Sequence, residues 1–406
     1  MIRKRNALLG AVVLVILTMM LTITVGNIRA LQAGDKVIIS RQLYDQMQEE
    51  TGGLHKLTHL KEFLLTEYYQ ELDESALMDG ALRGMFEAVG DPYTSYLDAG
   101  DYSDLMMSTR GTYGGIGIIV TADDDGYVSV ISPIEGTPGE RAGLATGDRI
   151  IRVDHQAVTG NRLDDAVALM RGEPDTEVVI ELLKRNQRES VEIVILRETI
   201  RIQSVRSEVM DGGIGYLRIS SFDEQTARDF QTHMDELINN HVDKLILDLR
   251  NNPGGLLNQA NRIADLLLGE GLIVYTENRH GYRREEFSDK KMYDVDLIVL
   301  INEGSASASE ILAGAIQDHG RGILLGTTSF GKGLVQELQQ LPDGTGFKYT
   351  VSQYFTPSGR YIHDVGIDPD VVVEIPEELL DEMDEFGEDT DLQLQKAIDM
   401  FLSPSS

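Results

Sequence analysis

Lys244-Leu245-Ile246-Leu247-Asp248-Leu249-Arg250-Asn251-Asn252-Pro253-Gly254-Gly255 reads as an apolar strand that empties into a glycine loop, and Leu256–Leu268 then carries helical spacing. A short run apolar on both faces marks a strand buried on both sides of a parallel sheet. Upstream, Ile214–Ile219 is a second strand and Gln225–Asn239 an amphipathic helix. Downstream come strands Leu272–Thr276 and Leu297–Ile301, a helix Ser309–Gln317 and a strand Gly322–Gly326. This alternation predicts a layered α/β core with its functional loops at strand ends. Val335–Leu341 and Phe347–Tyr354 then form a hairpin closed by Asp343-Gly344.

The chemistry sits at the end of this stretch. Gly304-Ser305-Ala306-Ser307-Ala308-Ser309-Glu310 places small hydroxyl residues at the mouth of an apolar helix. Gly331-Lys332-Gly333 sets one lysine on a glycine-flexed turn, and Gln336 follows four positions on. A serine nucleophile needs a base and an oxyanion site. There is no Gly-x-Ser-x-Gly elbow, and the histidines nearest the motifs, His319 and His363, have no evident acidic orienter. Lys332 is the better base, but a lysine of ordinary pKa, about 10.4, must be desolvated to act near neutrality; a fall of about 3 units is roughly 4 kcal/mol of lost preference for the charged form. Phe330, Leu334 and Leu325 are the expected desolvating neighbours, and residues 326–336 carry no acidic side chain. Four positions span about 13 Å on an extended strand, so Gln336 reaches Lys332 only if the backbone bends at Gly331 or Gly333. Glycines at a helix start leave free N–H groups, which makes the Gly254-Gly255 loop an oxyanion candidate. On chemistry alone Ser305 and Ser309 compete with Ser307.

These motifs resemble those of the carboxyl-terminal processing (tail-specific) proteases over most of the chain, roughly Leu60 to Val373. The resemblance includes Asp91-Pro92-Tyr93-x-Ser95-Tyr96-Leu97, Tyr354-Phe355-Thr356-Pro357-Ser358-Gly359 and Gly366-Ile367-Asp368-Pro369-Asp370. It implies Ser307 as nucleophile, Lys332 as base and Gln336 as the residue that orients the lysine. It also implies an oxyanion hole made by Ala308 and either Gly254 or Gly255. The fold class is α/β: the resemblance implies a crotonase-like layered protease core with an inserted PDZ domain, and the residue pattern adds helical N- and C-terminal regions and an N-terminal transmembrane helix.

Gly111–Glu198 has its own character: strands around Ile116–Val120, Tyr127–Ile131, Arg149–Val153, Val178–Leu183 and Val191–Leu196, a helix Arg162–Met170 and a short turn Glu140–Ala142. This order resembles a circularly permuted PDZ domain. The resemblance implies that Gly114-Gly115-Ile116-Gly117 offers backbone N–H groups to a peptide carboxylate. It implies further that Ile118 starts the strand the peptide pairs with, and that Val167, Met170 and Arg171 line the groove or couple it to the core. The acidic turn Asp123–Gly126 fails the EF-hand pattern and reads as a hairpin turn, so no metal is expected. Gly326–Lys332 matches Gly-x-x-x-x-Gly-Lys, but Gly333 stands where a magnesium-holding Ser or Thr belongs and a strand follows, so no nucleotide cofactor is expected.

The predicted domains are 1–26 (cytoplasmic start and anchor), 27–107 (helical), 108–198 (PDZ), 199–373 (protease core) and 374–406 (acidic and helical). Ala7–Val25 is an uncharged apolar run preceded by Arg3, Lys4 and Arg5. As a helix it would match a bilayer's hydrocarbon thickness and send the rest of the chain outside. The only small-x-small site near its end is Thr24-Val25-Gly26, which favours a retained anchor over a cleaved signal; cleavage would make the protein secreted. The 406-residue chain has no cysteine and a net charge of −31, which argues against thiol chemistry and a nucleic-acid partner. Glu377–Glu385 and Leu392–Leu402 suggest terminal helices that either present a solvated face or pair with another helix, including that of a second copy in a homodimer. The expected partners are protein substrates with exposed C-terminal tails. Two other readings are a membrane-tethered PDZ adaptor that binds tails without cutting, and an acyl-CoA enzyme on a crotonase-like fold, which the anchor and the PDZ insertion disfavour.

Overall fold

A computed structural model describes residues 4–32, 40–185, 189–376 and 391–403. The chain divides into two units, Met1–Leu82 and Arg83–Ser406.

The first unit is helical, with Lys4–Gln32 and Arg41–Glu67 as its long elements. The expected membrane span lies in the first of these, and Val12–Leu17 is exposed there. Among the described residues, however, no helix is long and apolar enough to cross a membrane. Thr18, Thr22 and Thr24 donate their hydroxyls back to the carbonyls of Leu14, Thr18 and Met20, one helical turn earlier. The expected span is therefore not shown.

In the second unit, a six-stranded sheet runs in the order Val205–Met210, Ile214–Ile219, Lys244–Asp248, Asp296–Ile301, Ile323–Gly326, Val371–Val372. All its pairings are parallel except the first. The period of two divides its side chains between two layers. Leu245, Leu247, Leu297, Val299 and Ile301 face a large core under the helices Thr226–Asn239, Leu257–Leu267 and Ala308–Asp318. Ile246, Ile298 and Leu300 face the opposite side, where Leu394 and Ala397 of the C-terminal helix Leu392–Leu402 cover them. That helix thus spends its apolar face on its own sheet, which corrects the expectation that it waits for a second helix. Glu377–Glu385 lies outside the described residues.

A buried network pins the same helix. Arg250 bonds to Asp248 (2.7 Å) and Asp391 (2.7 Å), and Tyr216 donates to Asp248 (2.6 Å). Burial pushes the Asp248 carboxyl up, but the Arg250 guanidinium and the hydrogen bonds outweigh it and hold the group below its usual range.

A second, antiparallel sheet contains Ser95–Leu97, Gly346–Phe355, Gly271–Asn278 and Arg283–Ser288, with Leu334–Gln340 also pairing with Gly346–Phe355. The expected hairpin is present, whereas Arg283–Ser288 was not foreseen. The inserted module is a separate six-stranded sheet in the order Ile118–Ala122, Val128–Pro133, Arg149–Val153, Glu177–Leu183, Ser190–Leu196, with Gln156–Ala157 alongside. It has its own core of Val128, Ile150, Ile180 and Leu182 and a helix Leu163–Met170. Where a turn was expected at Glu140–Ala142, a short helix Pro138–Arg141 ends with Ala142 as its C-cap.

Candidate active site

Ser307 caps the helix Ala308–Asp318 with φ 54° and ψ −112°, a conformation that costs free energy for a residue with a Cβ and that surrounding bonds must impose. Those bonds converge on Glu310, which is fully buried. One carboxylate oxygen accepts the Ser307 N–H (2.8 Å) and the Lys332 N–H (2.9 Å). The other accepts the Ser329 hydroxyl (2.6 Å) and the Gly331 N–H (2.7 Å). A single side chain thus fastens the two predicted catalytic residues to one point. The Tyr354 hydroxyl donates to the Ser307 carbonyl (3.2 Å), and burial followed by the Glu310 charge holds it firmly protonated.

The competing serines are committed elsewhere. Ser305 Oγ donates to the Leu249 carbonyl (2.8 Å) and Ser309 Oγ to the Asn252 carbonyl (2.9 Å), both buried. Ser307 is the only one of the three that is partly exposed. Asn252 links the two loops: its carbonyl also accepts the Ala306 N–H (3.0 Å), and its amide donates to Ile219 (2.8 Å). Gly254 lies against Ser307, since a Cβ there would come within 2.7 Å of the Ala306 carbonyl, 2.9 Å of the Ala308 nitrogen and 2.9 Å of the Ser307 Cβ. Gly255 packs instead against Phe222. Yet the Gly254 N–H already donates to Asn252 Oδ1 (2.9 Å), while the Gly255 N–H has no partner among the described residues. Ala308 opens its helix, so its N–H is one of the donors no helical carbonyl satisfies.

Lys332 departs from expectation in its surroundings. Burial lowers its pKa and Lys348 adds to the effect, while Asp91 and Glu310 oppose it. Of the three expected apolar neighbours, Phe330 is 56% exposed, Leu325 lies in the core beneath the C-terminal helix and Leu334 is partly buried. The environment is not free of carboxylates, because the fold brings in two from distant sequence. The Lys332 amine forms no hydrogen bond with Ser307 or Gln336; it sits over the Tyr93 ring, 4.7 Å from the centroid. Gly331, one of the two positions where that contact needs a bend, has φ 87°, and a register shift falls at Val335/Gln336. Gln336 Nε2 is nonetheless buried without a partner. Arg250, within the loop motif, faces Asp391 rather than the nucleophile.

In the inserted module, Ile118–Ala122 is an edge strand. Ile118 and Val167 are partly buried against the module's core, whereas Ile116 and Met170 are buried in it rather than lining a groove. Gly114 and Gly115 pair with Thr199 and Glu198 in a two-stranded ribbon, leaving Gly117 (φ 71°) at the start of the edge strand. Their role is close backbone approach, since a Cβ on Gly114 would fall 2.0 Å from the Gly172 carbonyl oxygen. Arg171 lies 3.6 Å from Asp104 and stacks on Tyr113.

A strained serine at a helix mouth, tied through a buried carboxylate to the loop of a desolvated lysine, is the arrangement of a serine peptidase. Residues 213–373 match the profile of peptidase family S41, residues 129–184 that of the PDZ domain, and residues 22–100 that of the activating protease CtpB N-terminal domain. The chain is 41% identical to the carboxy-terminal-processing protease of Bartonella bacilliformis over 319 residues, covering 77% of this chain and 73% of that protein. It is 37% identical to the carboxy-terminal processing protease CtpA of Bacillus subtilis, covering 79% and 69%. Among solved structures, it resembles a putative S41 protease from Bacteroides fragilis (TM-score 0.51, 15% identity, covering 82% and 91%) in fold. A photosystem II D1 C-terminal processing protease also matches (TM-score 0.46, 33% identity, covering 79% and 88%). The chain belongs to the carboxy-terminal processing peptidases of family S41. It is a serine-type protease, and the adaptor and acyl-CoA readings fall away.

Glu310, Asn252, Tyr354 and Tyr93 escaped the sequence reading as site residues. Glu310 carried a signal, since Ser-x-x-Glu at a helix start is a capping-box pattern.

Proposed function

We propose that the enzyme cleaves peptide bonds by a Ser307/Lys332 mechanism on substrates whose C-terminal tails are held by the PDZ module. The neutral Lys332 amine takes the Ser307 hydroxyl proton as the serine oxygen bonds to the scissile carbonyl carbon. The resulting ammonium returns that proton to the leaving amine as the C–N bond breaks, and water then releases the acyl group by the same route. The Ala308 N–H and the uncommitted Gly255 N–H bind the oxyanion, assisted by the positive end of the Ala308–Asp318 helix. Gly254 supplies the side-chain-free surface that lets the loop approach. Gln336 orients the lysine through its free amide once substrate is bound. The tail adds to the unpaired edge of Ile118–Ala122, with Gly117 at its carboxylate end and Val167 beside it, and Arg171 couples the module to the helix that carries Asp104.

The observation that carries this reading is the single Glu310 oxygen that accepts the backbone N–H of both Ser307 and Lys332. Peptide cleavage by Ser307→Ala, Lys332→Ala and Gln336→Ala tests it: the first two are inactive and the third is strongly impaired. A Lys332→Ala enzyme with parental turnover sinks it.

The same proposal places the catalytic part outside the cytoplasm, attached to a membrane through the N-terminal helix. Arg3–Arg5 and the exposed apolar row Val12–Leu17 support it. Alkaline carbonate extraction of membranes leaves the full chain in the pellet if this holds and in the supernatant if it does not. Leu54, Leu60 and Phe63 are exposed on the second helix, which supports a homodimer through N-terminal helices.

A further inference from the structure

The segment Asp91-Pro92-Tyr93-Thr94 stands far from Lys332 in sequence but is clamped beside it. Asp91 accepts the Tyr93 N–H (2.9 Å), the Thr94 hydroxyl (2.6 Å) and the Thr350 hydroxyl (2.6 Å). Thr94 Oγ1 in turn accepts the Thr350 N–H (3.1 Å). Thr350 is the register partner of Gln336 across the hairpin. Two of these hydrogen bonds shape the helix-breaking turn and two fix it onto the strand opposite Gln336, and the outcome is an aromatic face under the Lys332 amine at 4.7 Å.

We propose that Tyr93 is a positioning residue for Lys332, its ring holding the lysine as ammonium in the resting enzyme and releasing it once it is deprotonated. This rests on the reading of Lys332 as the base. A ring face attracts a cation and does nothing comparable for a neutral amine, so the contact favours the charged form. It opposes the burial that lowers the lysine pKa. The other charged and titratable groups around the amine are Lys348 on the hairpin strand, Glu310 on the nucleophile helix, and Asp91. His363 and Asp364 flank Tyr93 from the loop after Tyr361, His363 with its ring 6.3 Å from that of Tyr93. Two buried polar atoms border this shelf without partners, Gln336 Nε2 and His363 Nδ1. The lysine thus has a defined perch that is not its reacting position, and deprotonation removes what holds it there.

The test is the pH profile of kcat/KM on one peptide. Its acid limb reports the free-enzyme lysine. Tyr93→Leu removes the ring and moves that limb about 1 unit to lower pH, while the high-pH plateau falls several-fold. Tyr93→Phe keeps the ring and leaves the limb within about 0.3 unit of its original position. A series of increasingly fluorinated phenylalanines at 93 preserves shape while draining the ring's negative face, so it stays informative if Tyr93→Leu does not fold. Its acid limb steps downward with each fluorine. An acid limb unmoved across that series overturns the inference, as does a Tyr93→Phe shift equal to that of Tyr93→Leu. If Lys332→Ala is inactive and the series is flat, this inference alone fails; if Lys332→Ala is fully active, the mechanism beneath it fails too.

Discussion

At the residue scale, the site is organised by Glu310 more than by the pair it serves. Its carboxylate caps the nucleophile helix, closes the lysine loop and holds Ser307 at a positive φ. Removing a buried acceptor leaves four donors unsatisfied, each costing about 1–3 kcal/mol before relaxation. Glu310→Ala therefore destabilises the fold by several kcal/mol in chemical denaturation and lowers kcat at least 100-fold. A stable, active Glu310→Ala enzyme would contradict the role. Gly254→Ala is the complementary case: φ is 98° and the added methyl meets the Ser307 Cβ at 2.9 Å. It should leave the far-UV spectrum intact and reduce kcat about 100-fold or more.

At the element scale, the sequence made legible what repeats and hid what depends on distant partners. The two-sided apolar run Lys244–Asp248 and its parallel neighbours announced the sheet, because burial on both faces writes itself into every position. The family resemblance singled out Ser307 and Lys332 from their glycine and small-residue context, where chemistry alone left Ser305 and Ser309 in competition. The surroundings of Lys332 were not legible, since Asp91, Tyr93 and Lys348 arrive from separate strands and turns. Arg250 shows the same dependence on a distant partner: its guanidinium fastens the C-terminal helix through Asp391. Arg250→Ala, which strands buried carboxylates, should cost about 3–5 kcal/mol in urea unfolding. The sign of the pH dependence follows from Asp248, whose folded pKa is depressed. Its contribution is complete above the unfolded value of about 3.9 and is lost as pH falls through the lower folded value. Unfolding free energy that does not decline below about pH 4 would contradict this.

At the scale of the whole molecule, the PDZ module is a distinct sheet with its own core, joined to the protease core by the ribbon of Thr112–Gly115 and Glu198–Arg201. If its edge strand receives a tail, the free carboxylate of the substrate matters. A peptide with an amidated C-terminus should show a KM raised about 10-fold with kcat little changed. Equal KM for the two forms would remove the tail-reading role.

The central claim is that a lysine amine at position 332 is the base. The chain contains no cysteine, so Lys332→Cys introduces a unique thiol that bromoethylamine converts to a thioether analogue of lysine. The account predicts an inactive Lys332→Cys enzyme that regains cleavage on alkylation, with its acid limb moved to lower pH in step with the weaker base. Parental turnover by the unalkylated variant, or no recovery in a folded, fully alkylated one, would contradict it.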